Sequence, residues 1–166
     1  VLVPVRNDAE FLPAALDSLS AQTMAGWSAL LCPLGEFAHD VARTQAARDP
    51  RLRIAGTHAL AESDALAEAS ATVETEFLCV LDGDDMLEPD AFATLLNMLR
   101  GDPAAGMVYS RHVLIETSGR ALGAGPLCEL PYSADALLLD FMTGPLRLMR
   151  TAAYRKAGGH RNTHPD

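Results

Sequence analysis

A run of five apolar residues that ends in a cluster of carboxylates is the feature that most constrains the fold. Residues 77–81 are Phe, Leu, Cys, Val and Leu, with charged residues close by on both sides. A short continuous apolar run of this kind predicts a parallel strand that is buried on both faces. The cluster that follows it consists of Asp82, Gly83, Asp84 and Asp85. Because ligands of open α/β sheets bind at the carboxyl ends of the strands, the sequence predicts a binding site here.

Shorter apolar runs alternate with helical patterns around this strand. We predict strands over residues 1–5, 29–32, 52–55 and 77–81. Apolar residues at helical spacing predict helices over residues 11–22, 38–47, 65–71 and 89–100. The alternation predicts an α/β fold with a mostly parallel central sheet between two layers of helices, a three-layer α/β/α sandwich. After Gly106 the pattern changes, to strands at 107–109, 113–115 and 146–149 and helices at 134–141 and 151–157.

Several helix starts carry their own signals. The polar residues that can cap a following helix are Asp8, Ser63, Asp64 and Thr151. Pro89 is compatible with the first turn of a helix, where its missing N–H is not needed. These signals place the helix starts more finely than the apolar spacing does.

Length and composition set further limits. The 166 residues, 49% of them hydrophobic, predict one domain over 1–166. A net charge of −9 without any basic run argues against nucleic acid as a partner, and no apolar stretch is long enough for a membrane segment. The distant Cys32, Cys79 and Cys128 predict free thiols, so we expect a cytoplasmic protein, with peripheral association with the inner face of the membrane left open. Val1 already continues a strand pattern, which predicts a domain trimmed at both ends.

The acidic cluster has a direct chemical interpretation. Three carboxylates within four residues repel one another unless a cation joins them, and Gly83 allows the chain to turn tightly between them. Hard oxygen ligands suit Mn²⁺ or Mg²⁺, which often completes its coordination with substrate phosphates. Such a metal favours phosphate-ester or glycosyl transfer, because it stabilises a leaving diphosphate. The alternative is that Asp82, Asp84 and Asp85 form a solvated turn.

Three motifs in order resemble those of family 2 glycosyltransferases. The first is Val3-Pro4-Val5-Arg6-Asn7 with the helix that follows it, which includes Ser18-Leu19 and Gln22-Thr23. The second runs from Phe77 through the acidic cluster to Pro89-Asp90, and the third is the segment from Arg150 to Gly158-Gly159. Together these motifs cover nearly the whole chain.

The resemblance implies the Rossmann-like A-type glycosyltransferase fold, with a nucleotide-sugar-binding half at 1–100 and an acceptor-side half at 101–166. It implies a nucleotide-diphosphate sugar donor, Mn²⁺ or Mg²⁺, and inverting transfer to a saccharide, lipid-linked or other hydroxyl acceptor by a carboxylate base, in bacterial polysaccharide or glycoconjugate synthesis. The residues implied in nucleotide-sugar binding are Pro4, Val5, Arg6, Asn7, Glu36, Asp82, Gly83 and Asp84. The residues implied as metal ligands are Asp82, Asp84 and Asp85.

The chain departs from the family pattern at four places. Residues 33–36, Pro-Leu-Gly-Glu, stand where the family has Asp-Asp-Gly-Ser, so Glu36 either replaces the base-binding Asp or is a solvated residue. Arg6 replaces a Tyr and either contacts the nucleotide or lies on a surface loop. Residues 66–69 lack the family's Arg-Asn pair, and Asp166 alone stands near the place of the general base, where it is either the base or a chain-end residue. His160 and His164 either approach the acceptor or metal region or are solvated residues of a polar tail.

Two further hypotheses come from other functional classes. The missing nucleotide-pocket Asp and the missing basic pair favour a non-catalytic or impaired nucleotide-sugar-binding module of the same fold. A nucleotidyltransferase also binds nucleotides and metal on an α/β sheet, but no Gly-rich, Lys-containing phosphate loop follows the first strand.

Overall fold

A computed structural model describes residues 1–6, 10–56, 61–126, 130–138 and 142–161. Its strands are β1 (Leu2–Val5), β2 (Ala29–Pro33), β3 (Leu52–Ile54), β4 (Phe77–Cys79), β5 (Met107–Tyr109), β6 (Val113–Ile115), β7 (Ala121–Ala124) and β8 (Arg147–Arg150). Its helices are α1 (Leu12–Ser20), α2 (Gly35–Ala46), α3 (Glu62–Ala71), α4 (Ala91–Gly101), α5 (Ala134–Leu137) and α6 (Thr151–Ala157).

Six strands lie side by side in the order β3-β2-β1-β4-β8-β5. β1, β2 and β3 pair in parallel. A parallel bridge between Leu2 and Val80 joins β1 to β4, and the N–H of Leu81 donates to the carbonyl of Leu2 at 3.0 Å. β8 pairs antiparallel with both β4 and β5, so β8 runs against the other five strands. The predicted mostly parallel sheet is confirmed, and strands from both predicted halves of the chain contribute to it.

Alternate residues of the central strands point to opposite faces of the sheet. Val3 and Leu31 belong to the larger apolar cluster, to which α1, α2 and α4 contribute their buried residues. Leu2 and Cys32 belong to a smaller cluster on the other face, together with the buried face of α3. Because both faces are covered by helices, the three-layer α/β/α prediction is confirmed.

Several predicted helix boundaries are wrong. α3 begins at Glu62, so Ser63 and Asp64 lie in its first turn and do not cap it. α4 begins at Ala91, which places Pro89 before the helix. Thr151 is the first residue of α6, and its hydroxyl donates to the Thr75 carbonyl at 2.7 Å. For α4 and α6 the physical reason is that groups distant in sequence satisfy the helix start. The side chain of Gln22 accepts from the N–H of Phe92, and the carbonyl of Glu76 accepts from the N–H of Thr151.

β7 was not predicted, because Ala-Leu-Gly-Ala has little strand propensity. It pairs with β6 as a hairpin whose turn includes Gly119 at φ +82°. The other predicted cap, Asp8, lies outside the described residues, as does Cys128. Within the described part of the chain, no helix combines the length and apolarity needed to cross a bilayer.

Candidate functional site

The carboxyl ends of β1 and β4 form a cleft. Its lining consists of Pro4, Val5, Arg6, Leu12, Asp82, Gly83 and Asp84. All of these residues except Leu12, the first residue of α1, are ones that the family resemblance implies in nucleotide-sugar binding. Two segments about eighty residues apart in sequence therefore meet at one edge of the sheet, where ligands of α/β proteins bind.

Gly83 allows this close approach. A Cβ atom built on Gly83 would lie 3.3 Å from the carbonyl oxygen of Pro4 and 3.6 Å from Cδ1 of Leu12. The first distance is shorter than almost all contacts that real Cβ atoms make. The absent side chain thus lets the loop after β4 pass directly against the end of β1.

The carboxyl end of α1 anchors the loop that carries the acidic cluster. The side-chain amide of Gln22 donates to the carbonyl of Glu88 at 2.8 Å, and its oxygen accepts from the N–H of Phe92 at 3.0 Å. The hydroxyl of Ser18 accepts from the N–H of Leu87 at 3.1 Å. Gln22 and Ser18 are both buried, so these bonds are protected from water. The polar residues of the first motif therefore fix the return of the acidic loop into α4.

Asp82 is half-buried at the end of β4, with both negative and positive side chains nearby. Burial raises the pKa of its carboxyl group, and the negative charges of Glu62 and Asp84 raise it further. The positive charges of Arg6 and Arg147 act in the opposite direction. A carboxylate in this position is less stable than in water, and a bound cation would favour its charged form.

Asp85 is in the same situation, whereas Asp84 is exposed. Burial raises the pKa of Asp85, followed by the charges of Asp82 and Asp84, and His112 opposes the shift. Neither raised pKa reflects a hydrogen-bonded structural role. Mutual repulsion at the edge of a ligand cleft is typical of a functional site.

The predicted metal ligands do not form a closed metal site by themselves among the described residues. Among the described residues, no group of three or more His, Cys, Asp or Glu side chains converges on a point where an ion could bind. Mg²⁺ is commonly held by one or two carboxylates together with substrate phosphates and water. The repulsion among Asp82, Asp84 and Asp85 is compatible with that arrangement, so Mn²⁺ or Mg²⁺ stays a prediction.

Arg6 lies at the mouth of the cleft and forms an ion pair with Glu62, the first residue of α3. Its side chain is 55% exposed, so part of the guanidinium faces solvent. Asn7, the next predicted residue, lies outside the described residues.

The remaining sequence-predicted residues lie elsewhere. Glu36 is exposed in the first turn of α2 and does not line the cleft. Pro33, at the position of the family's Asp pair, is the last residue of β2 and pairs with Val5. Leu66, at the position of the family's Arg, is buried in the cluster around Leu2. Asp166 and His164 fall outside the described residues.

Sequence reasoning missed Arg147 as a site residue. It is the first residue of β8, half-buried, and close enough to Asp82 to shift its pKa. Arg147 stands in the apolar segment Leu-Arg-Leu-Met, and an arginine inside a strand pattern was the signal that could have identified it.

A cavity of about 200 Å³ adjoins Arg147. Its lining consists of Val80, Arg147, Met149, Tyr154, Gly159 and His160. Tyr154 holds His160: the N–H of His160 donates to the Tyr154 hydroxyl at 3.0 Å, and Nδ1 lies 2.7 Å from the same oxygen. The Tyr154 hydroxyl donates in turn to Ser70 at 3.1 Å. His160, a predicted acceptor-side residue, is thus fixed next to the acidic cleft.

Comparison with known proteins agrees with this geometry. Residues 1–158 match the family described as "Glycosyl transferase family 2". A curated relative, "Uncharacterized protein y4gI" of Sinorhizobium fredii, is 32% identical over 140 residues, which cover 81% of this chain and 15% of that protein.

Two solved structures share the fold. Staphylococcus aureus TarS residues 1–349 in complex with UDP-GlcNAc has a TM-score of 0.71 and 14% identity, covering 94% of this chain and 46% of that one. The mannosyltransferase PcManGT of Pyrobaculum calidifontis, in complex with GDP-Man and Mn²⁺, has a TM-score of 0.67 and 17% identity, covering 95% and 46%. The present chain therefore spans about half the length of these two structures. At such identities the likeness shows the A-type glycosyltransferase fold alone.

Proposed function

The chain belongs to glycosyl transferase family 2, and from that premise we propose that it moves a sugar from a nucleotide-diphosphate donor to an acceptor hydroxyl with inversion. The observation that carries the proposal is the cleft, because it joins the Pro4–Arg6 segment to Asp82, Gly83 and Asp84. In both segments the family resemblance implies residues that bind the donor.

In this proposal the ends of β1 and β4 both contact the donor, through different residues. Pro4, Val5, Arg6 and the following Asn7 contact the nucleotide, with Glu36 available for the base. Asp82 accepts hydrogen bonds from the nucleotide-sugar, a role that its position on the cleft wall supports. Because Gly83 has no side chain, the donor can lie directly against the backbone there.

Asp84 is the main metal ligand in this proposal, with Asp82 and Asp85 beside it. When bound, Mn²⁺ or Mg²⁺ acts as a Lewis acid toward the leaving diphosphate. Asp84 is exposed and can reach an ion shared with substrate phosphates, whereas Asp82 and Asp85 are half-buried. The raised pKa values of Asp82 and Asp85 fall again when a cation lies beside them.

The chemical step is a single displacement. The acceptor oxygen forms a bond to the anomeric carbon, the bond from that carbon to the diphosphate oxygen breaks, and a carboxylate takes the proton of the acceptor hydroxyl. Attack from the face opposite the leaving group inverts the anomeric configuration. Asp166 is our candidate for the base.

One alternative has specific support. Pro33 has no side-chain acceptor for a nucleotide base, and Leu66 is buried where the family carries positive charge. These two positions favour a protein that binds nucleotide-sugars weakly or without turnover.

Titration with Mn²⁺ and a panel of nucleotide-sugars, beginning with UDP-GlcNAc and GDP-mannose, tests both the active glycosyltransferase and the binding module without turnover. We expect metal-dependent binding that Asp84→Asn abolishes and Asp40→Asn preserves, because Asp40 is an exposed residue of α2 paired with Arg43. Sugar transfer or slow donor hydrolysis supports the enzyme, and binding without turnover supports the module. If no nucleotide diphosphate binds in the presence of metal, the proposal is wrong.

A further inference from the structure

The cavity beside Arg147 lies one strand away from the donor cleft, and most of its lining has no part in the donor binding proposed above. The sheet order β1-β4-β8 places the cleft at the ends of β1 and β4 and the cavity at the junction of β4 and β8. If the nucleotide lies over β1, the cavity lies on the side away from the nucleotide, where the sugar and the acceptor meet.

Strand register determines where the charge of Arg147 lies. Leu148 pairs with Cys79, and Arg147 pairs with Tyr109. Because β8 runs antiparallel to β4, its first residue lies beside the carboxyl end of β4, at the same edge of the sheet as Asp82. Val80 and Met149 supply apolar walls around the guanidinium.

The surroundings of Arg147 favour its charge less than water does. Burial lowers the pKa of the guanidinium, and the negative charge of Asp82 offsets this only in part. An anion inside the cavity would compensate the buried charge with a charge-assisted, bidentate hydrogen bond. The same guanidinium would gain nothing comparable from a neutral sugar hydroxyl.

His160 completes the polar lining without adding charge. Burial and the nearby charge of Arg147 lower the pKa of the imidazole, so the ring is neutral at pH 7. The bonds from Tyr154 hold the ring and the turn that contains Gly159 in place. The Tyr154 hydroxyl donates its proton to Ser70, so Nδ1–H of the ring donates to Tyr154. In the neutral ring Nε2 is then an acceptor, which leaves Arg147 as the cation of the cavity and as the donor to an anion.

We propose that this cavity is an anion subsite, in which Arg147 holds a carboxylate or phosphate group of the substrate on the side away from the nucleotide. The inference rests on the proposed donor cleft and deepens it, because it names the class of substrate as acidic. The anion belongs either to the transferred sugar, as in a sugar acid, or to the acceptor, as in a sugar phosphate.

Calorimetric titrations with Mn²⁺ test the subsite in two arms. UDP and GDP are titrated first, and the one that binds tighter selects the donor pair: UDP-glucuronate against UDP-glucose, or GDP-mannuronate against GDP-mannose. The acceptor arm compares glucose 6-phosphate with glucose on protein saturated with that diphosphate. We expect the anionic member of at least one pair to bind about 10- to 100-fold tighter, the range of a hydrogen bond to a charged group.

Three variants assign the preference to the cavity. Arg147→Gln should remove the preference for the anion. Arg147→Lys should retain only part of it, because the charge is kept but the bidentate hydrogen bond is lost. Arg120→Gln is the matched control, since Arg120 is a hairpin residue paired with Glu116 far from the cavity in sequence and sheet.

The outcomes separate the two proposals. If neither UDP nor GDP binds, the proposed function fails and the subsite fails with it. If a diphosphate binds but neither anionic probe is preferred by the wild-type protein, the subsite alone is overturned. It is also overturned if Arg147→Gln weakens UDP or GDP itself as much as the anionic probe, because Arg147 then serves the diphosphate.

Discussion

Replacement of Gln22 by Met tests whether α1 supports the acidic loop through a single amide. Gln22 is buried, and its side chain bonds to both Glu88 and Phe92. Phe92 lies in the first turn of α4, whose N-cap residue makes no side-chain capping bond, so Gln22 caps α4 from the segment that follows α1. Met fills a similar volume but cannot replace either bond.

The variant leaves the buried N–H of Phe92 without a partner, whereas the carbonyl of Glu88 still accepts from the N–H of Ala91. A buried unsatisfied polar group costs about 1–3 kcal/mol, so the free energy of unfolding should fall by about 1–3 kcal/mol. For a chain of this size each kcal/mol shifts Tm by about 2–4 °C, which gives a decrease of at least about 2 °C. Urea unfolding followed by fluorescence of Trp27, the only tryptophan, measures the change directly.

Gln45→Met provides the matched control, because Gln45 accepts a bond from Arg48 at the exposed surface. Its effect should stay within about 0.5 kcal/mol, as is usual for surface substitutions. Nucleotide binding should weaken in Gln22→Met and not in Gln45→Met. Equal destabilisation of the two variants would refute the assignment of Gln22 as the anchor.

Three other predictions concern the cleft. Because burial and neighbouring carboxylates raise the folded pKa of Asp85 above its unfolded value, stability is lost as pH rises through the raised pKa. Asp85→Asn in EDTA should therefore raise Tm at pH 7.5, with the gain disappearing below pH 4, and a gain equal at both pH values would contradict this. Gly83→Ala should weaken nucleotide binding and destabilise by about 1 kcal/mol, because its Cβ meets the Pro4 carbonyl, whereas Gly26→Ala meets no atom within 4 Å and is the control. Mn²⁺ with nucleotide diphosphate at about 100 times its Kd should add about 2.7 kcal/mol, or about 5–11 °C in Tm, an effect expected to be absent in Asp84→Asn.

The sequence predicted the central sheet well because its strands are buried on both faces. Such strands must be apolar throughout, and the run at 77–81 shows this within a few residues. The helix starts were predicted less well. The hydroxyl of Thr151 bonds to Thr75 and does not cap its own helix, and this depends on contacts between segments distant in sequence. Of the hairpin β6–β7 only β6 was predicted. β7 forms because its backbone pairs with β6, although its residues have little strand propensity.

In the candidate site, too, residues next to a clear strand pattern could be predicted, and residues brought in by strand pairing could not. Asp82, Gly83 and Asp84 could be placed from sequence because a buried strand leads directly into them. Arg147 could not, since only the antiparallel register of β8 brings it to the end of β4.

That difference changes how the charge of the cleft is understood. Without the family's basic pair on α3, the sequence alone leaves two interpretations: a metal carries more of the charge compensation for a diphosphate, or the affinity for a diphosphate is weak. The structure places two arginines close enough to Asp82 to oppose the rise of its pKa, Arg6 directly after β1 and Arg147 at the start of β8. Arg6 is paired with Glu62 at the mouth of the cleft, and Arg147 lines the neighbouring cavity. If α3 had kept a cation at position 66, that charge would lie in the apolar cluster around Leu2 and Cys32. Leucine at that position therefore stabilises the core, and positive charge near Asp82 comes instead from Arg6 and from Arg147 on β8.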